Sequence, residues 1–142
     1  MFLGSSRSPS GQFERCNRSD ADVTEKFTFQ VPLIRGCKIV ESPADQELFT
    51  KRYTQEAVDW IAEHKDKSFF FYLARNMPHA PMFASKEFQG CSEGGRFGDV
   101  VEEIDWSVGK VMEALKKQNI NQNTLVVLRV TMGRSRCLVL MG

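Results

Sequence analysis

The sequence predicts an α/β fold with a mostly parallel central sheet, and three observations support this prediction. An amphipathic pattern leads into a continuous apolar run at residues 69–74. A second, longer amphipathic pattern follows, and a β-branched run at residues 124–130 closes the series. The order helix, strand, helix, strand is typical of βαβ units, in which a helix connects two parallel strands.

Composition limits the classes of protein to which the chain can belong. Its 142 residues are 42% apolar and 26% charged, which is ordinary for a globular chain and predicts one domain at most. The net charge is only +1, with no long block of one sign, so we expect no nucleic-acid partner. The longest apolar run is far shorter than the roughly 20 residues that cross a bilayer, so no membrane span is expected.

The first part of the chain is predicted to be irregular. Residues 1–30 are rich in Ser, Arg, Asn and Asp without a sustained period, and they lack the long apolar stretch of a secretory signal. Residues 31–41 mix apolar residues with a proline and a glycine, which predicts short extended pieces around a turn.

The first helix is predicted from about Thr50 to Glu63, with Thr50 as its N-cap. The apolar residues at helical spacing are Tyr53, Ala57, Val58, Trp60 and Ile61. The following run from Phe69 to Ala74 is apolar at every position, which predicts a strand buried between two layers.

The second helix is predicted from Phe97 to Gln118, about five to six turns. Its apolar stripe comprises Val100, Val101, Ile104, Val108, Val111, Met112 and Leu115. Glu102, Glu103 and Asp105 are expected to face away from this stripe and, with Asp99, to interact favourably with the dipole near the helix start. A β-branched strand is predicted at Thr124–Val130.

One histidine lies in the stretch "NMPHAPMF", just past the carboxyl end of the first predicted strand. Open α/β sheets bind ligands at that edge. Pro78 and Pro81 restrict the residues before them, so the loop that holds His79 is expected to be stiff. Two interpretations stay open on these features, since His79 could contact a ligand or only complete a turn.

The four cysteines contain no CxxC pair. Metal-ligand spacing and a dithiol redox motif are therefore both absent. Free thiols and disulfide pairing remain alternatives.

Several motifs occur together in one continuous order from Val31 to Leu128. They read "FFFYL", "PHAP", "FASKEF" and "GRFGDVVEEIDWSVG". In this combination the chain resembles the sulfatase family, particularly the arylsulfatases and the N-acetylgalactosamine-6-sulfatase branch. On this resemblance, residues 31–130 are a partial sulfatase domain, residues 1–30 are an irregular N-terminal segment, and residues 131–142 are a tail outside the family pattern.

The resemblance implies a fragment of an alkaline-phosphatase-like α/β sandwich and, in the full-length family, hydrolysis of sulfate monoesters of small molecules or glycans. The family uses calcium and a formylglycine made from a cysteine in a CxPxR motif. Its PHxP-like histidine, which contacts the sulfate group, matches His79. The resemblance also implies a lysosomal or secreted location.

Other parts of the family's site are missing from this sequence. No cysteine begins a CxPxR motif, and the family's Asp-Asn metal ligands fall at Thr131 and Met132. A hydroxyl and a thioether are poor substitutes for carboxylate and amide oxygens around calcium. We therefore expect an inactive fragment of a sulfuric ester hydrolase that supports neither calcium nor formylglycine. The alternative is a non-catalytic, truncated isoform that acts as an interaction protein.

The tail sequence itself indicates a frameshift, a splice variant or a gene-model error in a longer sulfatase gene. If "RVTMGR" is encoded CGG GTG ACA ATG GGC CGN, the frame that starts at the third base encodes Gly-Asp-Asn-Gly-Pro, which contains the family's metal-ligand motif. Sequencing the transcript across Leu128 checks this prediction, and codons that cannot be read as Asp-Asn in the shifted frame contradict it.

Overall fold

A computed structural model of the chain describes residues 31–131 and 134–142, and the side chains of residues 31–129 and 138–142. The predictions for residues 1–30 and for Met132 lie outside the described residues. The chain divides into two compact units, residues 1–46 and 47–142. The irregular segment, the partial domain and the tail remain predictions as domain boundaries.

The described part of the first unit is a β-hairpin. Strands β1 (Leu33–Arg35) and β2 (Lys38–Glu41) pair antiparallel. Gly36 lies in the turn between them with φ of +62°, a conformation that glycine adopts without steric cost. The predicted extended pieces around a turn are therefore confirmed.

The second unit contains two helices and three strands. Helix α1 spans Phe49–His64 and helix α2 spans Gly95–Lys117, which confirms both predicted helices. The strands are β3 (Phe70–Ala74), β4 (Leu125–Thr131) and β5 (Arg134–Met141). Short 3₁₀ turns occur at Gln46–Leu48 and Asn121–Asn123.

The N-cap prediction for the first helix is wrong. Leu48 occupies that position, and no side chain caps the helix there. Thr50 is buried in the first turn, and its carbonyl accepts the Thr54 hydroxyl at 2.6 Å. Thr54 and Ser107 also join their hydroxyls in the buried interface between α1 and α2.

The prediction of a mostly parallel sheet is wrong for the described strands. Their spatial order is β3–β5–β4, and β5 is antiparallel to both of its neighbours. Only residues 132 and 133 separate β4 from β5, too few for the crossover that parallel neighbours require, so β5 must return antiparallel. β3 and β4 still run in the same direction, with β5 between them.

Strand β3 is a strand as predicted, but it is not buried on both faces. Leu73 is buried and Phe71 is half-buried, whereas Phe70 is 65% exposed and Tyr72 is 48% exposed. Side chains alternate between the two faces of a strand, so only one face meets a layer formed by the described residues. Trp60 of α1 stacks on Phe71 at a ring distance of 4.7 Å on that face.

The core of the second unit contains residues from both helices and from the sheet. Its fully buried apolar side chains include Ile61, Ile104, Val111, Leu115, Leu138 and Leu140. Leu138 and Leu140 pair with Leu73 and Phe71 and lie on the same face as those residues. The segment that was predicted to be a tail outside the family pattern thus supplies part of the core.

Truncating a core side chain of β5 is expected to destabilise the chain strongly. Leu140→Ala should lower the free energy of unfolding by about 2–5 kcal/mol, because it removes buried apolar area and leaves a cavity. Val139→Ala is the matched control, since Val139 is half-buried on the opposite face of β5 and should cost at least about 1 kcal/mol less. Urea unfolding followed by circular dichroism measures both values, and equal small effects would contradict the placement of β5.

Candidate functional site

The candidate site lies at the sheet edge where β3 and β4 both end. Ala74 and Arg129 each pair with Cys137 of β5, so the carboxyl ends of β3 and β4 lie at the same edge. The loop of residues 75–94, which carries His79, leaves the sheet there and leads to α2. Ligands commonly bind at this edge of α/β sheets.

The imidazole of His79 is exposed, and its Nδ1 makes one hydrogen bond with the main chain. Its Nδ1 lies 3.2 Å from the carbonyl oxygen of Ala80. A carbonyl can only accept, so Nδ1 must carry the proton in this hydrogen bond. Nε2 is then an acceptor in the neutral ring and becomes a donor only in the imidazolium.

Apolar side chains fasten the loop on both sides of His79. Met77 and Ala84 are buried in one cluster with Val100 and Ile104 of α2. Met82, Phe83 and Phe88 pack against this cluster and are partly buried. His79 therefore lies on an exposed stretch between two buried anchors.

Two buried carboxylates of α2 bind the main chain of the same loop. Asp99 accepts the Gly90 N–H at Oδ2 and the Ser92 N–H at Oδ1, both at 2.9 Å. Glu103 accepts the Ser85 N–H at Oε2, at 3.0 Å. Their residues are only 4% and 1% exposed, so the prediction that Glu103 faces away from the core is wrong. Its carboxylate faces inward because a backbone donor of the loop meets it there.

The hydrogen bonds change the acidity of Asp99. The backbone N–H of Gly90, followed by that of Ser92, holds the pKa of the Asp99 carboxyl below its ordinary value of 3.8. Burial opposes this change but has a smaller effect than these two donors. The ionised form is thus the one that the loop stabilises.

Other polar side chains of the second unit have contacts that explain their positions without a ligand. Arg75, directly after β3, is buried, and its Nη1 donates to the Ile104 carbonyl at 3.5 Å. His64, the other histidine, stacks on Trp60 at 4.1 Å, with Nδ1 2.9 Å from the Trp60 carbonyl oxygen. Lys86 is exposed.

The position at which the resemblance implies calcium ligands in the full-length family lies at the end of β4. Thr131 ends β4 where the family pattern has a carboxylate, and a neutral hydroxyl is a weak ligand for calcium. Within residues 31–131 and 134–142, no group of three or more His, Cys, Asp or Glu side chains could hold a metal ion. Cys37 and Cys91 are free, exposed thiols, which settles the open question of pairing for those two.

Comparisons with known proteins agree on one family. Residues 9–128 match the family profile described as "Sulfatase". The chain is 49% identical to mouse N-acetylgalactosamine-6-sulfatase over 79 residues, which is 54% of this chain and 15% of that protein. It is 40% identical to rat steryl-sulfatase over 96 residues, which is 68% of this chain and 17% of that protein.

A third relative is human arylsulfatase H, 35% identical over 94 residues, which is 66% of this chain and 17% of that protein. The chain thus spans about a sixth of the length of these curated relatives. Among the described helices, none combines the length and apolar character needed to span a membrane.

The depressed pKa of Asp99 predicts a pH dependence of stability. The pKa of the Asp99 carboxyl is lower in the folded chain than in the unfolded chain, so the ionised carboxylate stabilises the fold above about pH 4. This stabilisation is lost as the pH falls through the folded pKa. Asp99→Asn should therefore be less stable than wild type at pH 7, and the difference should shrink towards pH 2. Asp105→Asn, an exposed position on the same helix, is the control. Thermal unfolding between pH 2 and pH 7 measures this, and a pH-independent gap for Asp99→Asn would contradict it.

Proposed function

The chain belongs to the sulfatase family, and we propose on this premise that it is a segment of a sulfuric ester hydrolase in which His79 contacts the sulfate group of the substrate. The observation that carries the proposal is an exposed imidazole on an anchored loop, at the edge where β3 and β4 both end. The same comparisons give no support to the alternative of a separate interaction protein.

The proposed substrates are sulfate monoesters of small molecules or glycans. One relative is named for N-acetylgalactosamine 6-sulfate and another for steryl sulfates, so their names share the sulfate group and differ in the alcohol. We propose that His79 recognises the shared group. A lysosomal or secreted location belongs to the same proposal, and it rests on family membership alone.

The chemistry proposed for His79 is donation to an anionic oxygen. The Ala80 carbonyl engages the Nδ1 proton, so the donor available to a sulfate is Nε2–H of the imidazolium. Its positive charge favours the bound sulfate monoester. A donor held in place also stabilises negative charge as it develops on the oxygens of the reacting group.

Formylglycine and calcium would supply the nucleophile and the Lewis acid in the full-length family. The chain has no CxPxR cysteine, and Thr131 and Met132 stand in place of the calcium ligands. Their donor chemistry does not fit that ion. We therefore propose that these 142 residues bind an aryl sulfate weakly and do not hydrolyse it.

Aryl sulfate binding by His79 should be measurable directly. Titration with 4-methylumbelliferyl sulfate should shift the imidazole NMR signals of His79 to saturation, because the imidazolium would donate from Nε2 to a sulfate oxygen. His79→Ala should weaken binding by roughly tenfold, the loss expected for a hydrogen bond between charged groups.

His64→Ala is the matched control, because it removes the only other histidine and lies on α1. It should leave the affinity unchanged, and neutral 4-methylumbelliferone should produce no shift at His79. Equal weakening by both histidine variants, or release of fluorescent product above the His79→Ala background, would contradict the proposal.

A further inference from the structure

We infer that Asp99 and Glu103 are positioning residues for the anion-contacting loop. Their carboxylates hold the main chain of residues 85–92 on α2, and this keeps His79 at the carboxyl edge of the sheet. The inference rests on the proposed role of His79, but the hydrogen bonds that carry it can be tested without any ligand.

Three backbone N–H groups of the loop point at one face of α2. Asp99 and Glu103 are four residues apart in α2, so their side chains lie on the same face, one turn apart. The N–H groups of Ser85, Gly90 and Ser92 converge on them. The loop of residues 75–94 contains no strand or helix to satisfy these donors, and loops of this length are often functional.

Close packing seats the loop beside the first carboxylate. A methyl group at Gly98, next to Asp99, would overlap the side chain of Ser92. Gly90 has φ of +75° and donates its N–H to Asp99, so its main chain rather than a side chain makes the contact. The loop is therefore held by its backbone at a place where α2 lacks a side chain.

The carboxylates of Asp99 and Glu103 differ in the number of hydrogen bonds that they accept. Asp99 engages both oxygens with separate donors. Glu103 engages only Oε2, and both its Oε1 and the Ser85 Oγ are buried without a hydrogen-bond partner among the described residues. An amide in place of a carboxylate keeps one acceptor oxygen and replaces the other with a donor.

This difference predicts opposite responses to the same chemical change. Glu103→Gln can keep the Ser85 N–H bond through its amide oxygen and place its NH₂ group at the position of Oε1, which accepts no hydrogen bond. Asp99→Asn must place its NH₂ group against the N–H of Gly90 or Ser92, so one of those bonds is lost. Glu103→Leu removes the acceptor at similar size, and it leaves the Ser85 N–H buried without a partner.

The loop's route links these bonds to His79. The exposed stretch with His79 is anchored at Met77 on one side and at Ala84 on the other, and Ala84 is directly followed by the bonded Ser85. Releasing Ser85 frees the second anchor. The imidazole then loses its position relative to the sheet edge while the helices keep their own packing.

The test compares the full chain with Glu103→Gln, Glu103→Leu and Asp99→Asn by amide hydrogen exchange and NMR. Asp99→Asn should speed exchange at Gly90 or Ser92, and Glu103→Leu at Ser85, by roughly tenfold or more. Both should shift the His79 imidazole signals without ligand and weaken aryl sulfate binding by a similar factor. Glu103→Gln should keep wild-type exchange, His79 signals and affinity. If the negative charge of Glu103 rather than its acceptor oxygen held the loop, Glu103→Gln would lose all three.

Two further variants serve as controls. Glu102→Leu changes the exposed neighbour on α2 and should alter none of these readouts. Ser85→Ala removes only the buried hydroxyl without a partner and should keep the loop in place, because the bond uses the main chain. If Glu103→Leu does not fold, the opposite responses of Glu103→Gln and Asp99→Asn still decide the question.

The proposal is overturned if Asp99→Asn keeps wild-type exchange at Gly90 and Ser92, or if Glu103→Gln exposes Ser85 as Glu103→Leu does. It is also overturned if exchange changes while the His79 signals stay at their wild-type positions. Failure of wild type to bind aryl sulfate, with the exchange pattern as expected, would refute the proposed function of His79 and leave the positioning of its loop supported.

Discussion

The arrangement of the candidate site depends on hydrogen bonds between helix carboxylates and loop backbone. A long loop follows β3, and the buried or partly buried N–H groups of Ser85, Gly90 and Ser92 need acceptors that no strand partner provides. Asp99 and Glu103 provide those acceptors from the first turns of α2. Because α2 also packs against the buried anchors of the loop, one helix determines the path of the chain on both sides of the exposed imidazole.

The sheet brings this loop to a chemically useful edge. β3 and β4 run in the same direction, so the loop with His79 and the end of β4 meet at one side of the molecule. In the proposed function that side offers the His79 imidazole to an oxyanion, and Thr131 ends β4 at the same side. In the proposed function the loop positions a binding residue, whereas the CxPxR cysteine that the resemblance implies as the source of the nucleophile does not occur in these 142 residues.

Residue periodicity predicts both helices and the strands β3 and β4, since the apolar spacing reflects the local geometry of each element. It does not predict that Glu103 is buried, because the acceptor role depends on a backbone donor 18 residues away. Asp99 and Glu103 are four residues apart, and this spacing could have indicated that both carboxylates bind one partner. A favourable interaction with the dipole of α2 explains the same two acidic residues equally well. The prediction of a mostly parallel sheet was wrong because β5 returns directly after β4 and lies between β3 and β4. The sulfate contact of His79 stays a prediction from the family resemblance, whereas the hydrogen bond between its Nδ1 and the Ala80 carbonyl could be found only from coordinates.

The most direct test of this account is detection of scalar coupling across the loop hydrogen bonds in a long-range HNCO experiment on labelled protein at pH 7. Cross-peaks are expected from the Ser85 amide to the side-chain carboxyl carbon of Glu103, and from the Gly90 and Ser92 amides to that of Asp99. Couplings within α2 provide the internal reference for sensitivity. Clear α2 couplings with no cross-peak from any of the three loop amides would contradict the claim that these carboxylates hold the loop.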